Sequence, residues 1–206
     1  MVKYVIFDFD GTLVDSRVAF ASSWNTLAEK YNLKEMKYEE LENMKKLSMR
    51  ERSKKLNFPM YMLPFIIPQI YKLYRKSINE IKLFDGVRDL LNVLEKRGYK
   101  TAIISSNSEE NIALFLEKNK LDSVTTILCS RKIFGKDRLI KRFLRENQLK
   151  TSDVIYVGDE HRDIIACKKT GVKIIWVGWG YDSIEVVRNE KPDYMVYKPA
   201  EILEVI

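Results

Sequence analysis

Short apolar runs rich in β-branched and aromatic residues recur along this chain: KYVIF, KTAIIS, VTTILC, DVIYVG, VKIIWVG and DYMVY. Helical patterns separate most of them. After Asp85-Gly86, Val87, Leu90, Leu91 and Leu94 recur with helical spacing, and Gly98 is placed to end that helix. The same reasoning predicts helices over about 108–119, 137–148 and 160–170. Strands that are apolar on both faces and alternate with helices imply one architecture, an α/β fold with a parallel sheet covered on both sides.

The stretch from about Ser16 to Ile81 breaks the alternation, with helical patterns and no convincing strand. SWNTLAEKYNL places Trp24, Leu27, Ala28 and Tyr31 on one helical face. Ser48 and Glu51 fit a capping box that opens another helix. PQIYKLYRKSINEI, from Pro68 onward, can start a helix with proline in its first turn. A helical insert therefore seats itself in the α/β domain after its first strand.

Charge is concentrated in that insert. Residues 16–83 hold 14 Lys/Arg against 7 Asp/Glu, while the rest of the chain holds 22 of each. The excess is either a solvated Lys-rich helical surface or a field that attracts anionic ligands. Nucleic acid is not expected, because no basic–aromatic module or finger spacing occurs. No run reaches the roughly 18 apolar residues of a membrane span; the richest, FPMYMLPFIIPQIY, is interrupted by Pro59, Pro64 and Pro68. Asp8, Asp10 and Asp15 exclude a signal peptide at the N-terminus. Cys129 and Cys167 have neither disulfide-framework nor metal spacing and read as reduced core hydrophobes of a cytoplasmic protein.

Polar groups gather where the strands end. Asp8 directly follows the first apolar run, Asp10 comes as the chain turns, and Gly11 permits an unusual backbone there. Ligands of open parallel sheets bind beyond the carboxyl ends of the strands. Two carboxylates together repel unless a cation or proton intervenes, and oxygen ligands favour Mg²⁺. TAII runs into Ser105-Ser106-Asn107, VIYVG runs into Asp159 with Asp163 four residues on, and Gly135-Lys136 precedes a helix. Carboxylates for a metal, with a hydroxyl and a lysine for phosphate, describe phosphoryl transfer.

DFDGTLVDS, a strand ending in Ser105, Lys136 and GDEHRD together resemble the four motifs of the haloacid dehalogenase-like hydrolases, in order and spacing. The resemblance spans essentially the whole chain and is nearest to the phosphoglycolate phosphatase-like branch, whose helical cap is inserted after the first motif. It implies a Rossmann-like α/β core at 1–15 plus 84–206 and a small α-helical cap at 16–83. It also implies Asp8 as nucleophile, forming an aspartyl-phosphate, and Asp10 as general acid and base. Mg²⁺ would be held by Asp8, the Asp10 main-chain carbonyl and Asp159, with Asp163 acting directly or through water. Ser105 and Lys136 would hold phosphoryl oxygens, helped by Ser106 and Asn107, while Thr12 braces the Asp10 turn beside them.

Competing motifs fail on particular residues. A calcium loop from Asp8 would place Leu13 where glycine is required. GKD at 135–137 lacks both the upstream glycine and the Ser/Thr of a phosphate-binding loop, and Ser183 occupies the third glycine position of a dinucleotide fingerprint. His161, the single histidine, has no nucleophile elbow and is expected at the edge of the site. The expected activity is Mg²⁺-dependent hydrolysis of a small anionic phosphorylated metabolite. A sugar-phosphate mutase on the same core and a non-catalytic phospho-ligand module stay open as alternatives. So does the oligomeric state, monomer or dimer.

Overall fold

The computed structural model describes residues 2–130 and 135–206. Six parallel strands form the main sheet in the order β5-β4-β1-β6-β7-β8. They are β1 (Tyr4–Phe7), β4 (Lys100–Ser105), β5 (Val124–Cys129), β6 (Val154–Gly158), β7 (Lys173–Val177) and β8 (Tyr194–Val196). Each coincides with one of the six apolar runs. A separate antiparallel pair, β2 (Val14–Asp15) with β3 (Lys82–Leu83), joins the two ends of the helical insert.

Among the described residues the ten α-helices are α1 (Arg17–Tyr31), α2 (Leu41–Met44), α3 (Met49–Lys55), α4 (Leu63–Tyr74), α5 (Val87–Lys96), α6 (Glu109–Asn119), α7 (Lys136–Glu146), α8 (His161–Thr170), α9 (Ile184–Val187) and α10 (Ile202–Val205). Alternating strand residues feed two apolar layers. Val5, Phe7, Ile103 and Val157 pack with Leu90, Leu91 and Leu94 of α5 and Phe115 of α6. Ile6, Ala102, Ile104 and Tyr156 pack on the other face with Ile140 and Phe143 of α7 and Ile164 of α8. Full burial of both faces explains why these strands read as continuous apolar runs. Both cysteines are free, and Cys167 lies in the second layer.

A third apolar cluster belongs to the insert alone, with Trp24, Leu27 and Ala28 of α1 packed on Ile66, Ile67 and Ile70 of α4. The Ser48–Glu51 capping box is formed at the start of α3. Two local expectations change. Helix α4 begins at Leu63, so Pro64 takes the first-turn position and Pro68 lies inside the helix. Pro68 forfeits one backbone hydrogen bond, and burial of Ile66, Ile67 and Ile70 on either side of it offsets that loss. Tyr31 does not join the apolar face of α1. It is 36% exposed, at the helix end, and its hydroxyl donates to Gln69.

The topology sets the position of the site. From β1 the main sheet grows first through β4 to β5 and then, on the opposite side, through β6 to β8. The sheet therefore reverses direction at β1, and the carboxyl ends of β4 and β6 flank that of β1, with Phe7 in register with Ile103 and Val157. Such a switch point leaves a crevice for a ligand.

Candidate active site

Asp8 continues β1 by one residue, its N–H donating to the Val157 carbonyl at 2.9 Å. Its carboxylate is 3% exposed; one oxygen accepts from the Phe9 N–H at 2.7 Å and the other from Lys136 Nζ at 2.5 Å. Lys136 opens α7, and its Nζ also donates to Asp163 Oδ1 at 2.5 Å. Burial pulls the Lys136 ammonium down, but Asp163 and Asp8 outweigh it and leave its pKa above the ordinary lysine value. Burial raises Asp8 and Asp163 against the opposing pull of Lys136, Asp163 to about 6.

Asp10 sits in the turn that follows. Gly11 has φ +79°, and Leu13 and Val14 fold back onto the Phe9 carbonyl. Three donors converge on the Asp10 carboxylate: Ser16 Oγ at 2.6 Å, Tyr74 OH at 2.7 Å and Asn107 Nδ2 at 2.8 Å. Burial lifts the Asp10 pKa, and these hydrogen bonds only moderate the rise. Tyr74 comes from the insert, so the acid is held from both parts of the chain.

Asp159 directly follows β6 and is fully buried. Its Oδ1 accepts from Thr12 Oγ1 at 2.7 Å and its Oδ2 from the Tyr181 N–H at 2.6 Å. A Cβ at Gly11 or Gly180 would collide with this side chain, so glycine at both positions lets the backbone close around it. Thr12 thus braces Asp159, beyond the turn expected of it. Burial, with the Glu160 and Asp8 charges, raises Asp159 well above an ordinary aspartate.

Glu160 is the acid that motif reasoning passed over. Its carboxylate, with those of Asp8 and Asp163, presents oxygens within 4.8 Å of one another, all buried. Burial opposes its ionisation, but Arg162 and Lys136 overcome that and hold its pKa below the usual glutamate value. The available signal was its place between Asp159 and the first turn of α8, a sheet-edge position like that of Asp8. Oxygen donors alone, crowded and desolvated, suit a hard divalent cation, which relieves repulsion that otherwise favours protonation.

The serines after β4 lie at the same edge. Ser105 Oγ accepts from the Asn107 N–H at 3.2 Å, and Ser106 Oγ is buried with no hydrogen-bond partner. An unpaired buried hydroxyl facing a cavity is suited to receive a ligand. His161 donates its N–H to Asp182 and contacts Glu190 through its ring. Arg52 ties the insert to the core. It spans from α3 to Asp182 Oδ1 at 2.5 Å and the Tyr181 carbonyl at 3.0 Å.

One cavity of about 190 Å³ joins these groups to the insert, from Asp8, Asp10, Ser105 and Ser106 at the sheet edge to the side chains between α1 and α4. No helix among the described residues is long and apolar enough to cross a membrane.

A buried lysine between two acids, a hydrogen-bonded carboxyl on the next turn and a helical cover thus meet at one edge of the α/β core. The haloacid dehalogenase-like hydrolase family model matches residues 5–177, and the chain belongs to that family. A phosphoglycolate phosphatase of Synechococcus elongatus is 27% identical, covering 100% of this chain and 97% of its own length. The pyrophosphatase PpaX of Bacillus mycoides is 23% identical over 100% of this chain and 97% of its own. A haloacid dehalogenase-like hydrolase of Streptococcus pneumoniae shares the fold with TM-score 0.83 at 22% identity, covering 99% and 98% of the two chains.

Proposed function

We propose that the protein is a Mg²⁺-dependent phosphatase that hydrolyses a small phosphate monoester through an aspartyl-phosphate on Asp8. The observation that carries this reading is the pairing of Asp8 with the buried Lys136 beside a separately held Asp10. Asp8 attacks phosphorus as the bond to the leaving alkoxide breaks. Asp10, whose pKa burial has raised, transfers its proton to that alkoxide. It then takes a proton from the water that attacks the acyl phosphate, which releases phosphate and restores Asp8. Lys136, Ser105 and Ser106 stabilise the charge that builds on the phosphoryl oxygens, and Asn107 keeps Asp10 in place.

The buried carboxylates of Asp8, Glu160 and Asp163 come close enough to share a cation, and a Mg²⁺ ion would be held by Asp8, the Asp10 main-chain carbonyl and Asp159, with Asp163 and Glu160 beside them. When bound, the ion supplies positive charge that lets Asp8 approach an anionic phosphate. The test is release of p-nitrophenol from p-nitrophenyl phosphate with Mg²⁺ or with chelator, by wild type and Asp8→Asn. Metal-dependent turnover that Asp8→Asn abolishes is expected. Turnover that persists in Asp8→Asn would refute the assignment of the nucleophile.

A further inference from the structure

The cavity differs at its two ends, and the difference bears on the group that leaves. Beyond the carboxylates its wall is apolar, made by Trp24, Met44, Leu56, Phe58, Ile66 and Ile70. Ser53, on the same wall, spends its hydroxyl on the Phe58 carbonyl. Four cationic side chains also line the cavity, and each already faces a carboxylate. Arg17 pairs with Asp15 and Glu42, Lys45 with Glu42 at 3.1 Å, Arg52 with Asp182 at 2.5 Å and Arg162 with Glu160.

A second negative charge on the substrate would have to share a cation that already faces a carboxylate, and would lie against Glu42, Asp182 or Glu160. An apolar group meets neither constraint. Removing an apolar group from water stabilises the complex in proportion to its area, and a cavity of about 150 Å³ lined by Leu, Ile and Phe admits a benzene ring. The basic surplus of the insert is thus an attribute of its surface, already compensated where it meets the site.

We infer that the leaving group of the substrate is apolar and carries no second anionic group. The inference rests on the phosphatase reading above, and it sets this chain apart from the phosphoglycolate and pyrophosphate named for its relatives.

The test compares kcat/KM for methyl, butyl and benzyl phosphate, whose leaving alcohols are similarly basic, with phosphoglycolate and pyrophosphate, all with Mg²⁺. Each buried methylene is expected to raise kcat/KM about four-fold. Butyl and benzyl phosphate should therefore exceed methyl phosphate by on the order of tenfold or more, and should exceed both doubly anionic substrates. Filling the cavity with Ile66→Phe should shrink the benzyl-to-methyl ratio. If that variant fails to fold, inhibition of the wild type by benzylphosphonate against methylphosphonate reads the same preference. Preference for phosphoglycolate or pyrophosphate, or a flat ester series, would overturn the inference and leave the phosphatase reading intact. Absence of turnover on every substrate, with no phosphorylated Asp8 trapped, would overturn the phosphatase reading and this inference with it.

Discussion

Lys136→Met removes the charge at the centre of the site while keeping most of the side-chain volume. Nζ lies 2.5 Å from both Asp8 and Asp163, and the three side chains are 3%, 4% and 0% exposed. Water cannot replace the lost partner there. Breaking a buried ion pair from one side costs about 3–5 kcal/mol. With a urea slope of about 2–3 kcal/mol per M for a chain of this size, the unfolding midpoint should fall by roughly 1–2.5 M. The loss should also depend on pH. Asp8 and Asp163 are raised in the folded protein, burial being the largest cause and Lys136 opposing it. An acid whose folded pKa is raised costs stability as pH climbs from its unfolded value of about 3.8 through the folded one, here about 6 for Asp163. Without Lys136 the folded values climb further and the cost grows. The assay is urea unfolding of both proteins in chelator, with a larger difference expected at about pH 7.5 than at about pH 4.5. A loss below about 1 kcal/mol, or one equal at both pH values, would refute a tightly coupled buried lysine–carboxylate triad.

Tyr74→Phe deletes a hydrogen bond that lowers the Asp10 pKa. That pKa should rise, moving the limb of the kcat/KM profile that needs protonated Asp10 to higher pH; an unmoved limb would separate Asp10 from it. Gly180→Ala drives a methyl into Asp159 and should abolish Mg²⁺-dependent turnover with a smaller loss in thermal stability, checked by activity and melting together. Asp182→Ala breaks the Arg52 bridge between insert and core and frees the His161 N–H. A stability loss of about 2 kcal/mol is expected, with KM rising more than kcat falls, and unchanged KM would argue against a role in holding the cover closed.

Much of this was legible because its causes are local. The central apolar runs are strands because they lie between two helical layers, and the α5 periodicity and the Ser48–Glu51 cap depend only on neighbouring residues. The start of α4 was misplaced for a local reason as well. Pro64 and Pro68 both satisfy a first-turn rule, and burial of the three isoleucines around Pro68 selects the earlier start. The β2–β3 pair was missed because two-residue strands carry no periodicity. Glu160 was missed because a motif assigns roles to matched positions, and the closeness of its carboxylate to Asp8 and Asp163 is a fact of space.

The sequence alone determined the α/β alternation, the place of the helical insert and the strand ends that bear Asp8, Ser105 and Asp159. Apolar periodicity and turn residues act over a few positions, so they can be read along the chain. Only the tertiary structure decided which groups meet. Lys136 reaches Asp8 across 128 positions, Arg52 reaches Asp182 across 130, and Tyr74 reaches Asp10 across 64. It also decided that the cations lining the cavity face carboxylates and that an apolar cavity opens onto the carboxylates of the site. Such pairings form when the sheet reverses at β1 and the insert closes over it, because side-chain electrostatics and packing follow distance in space rather than separation in sequence.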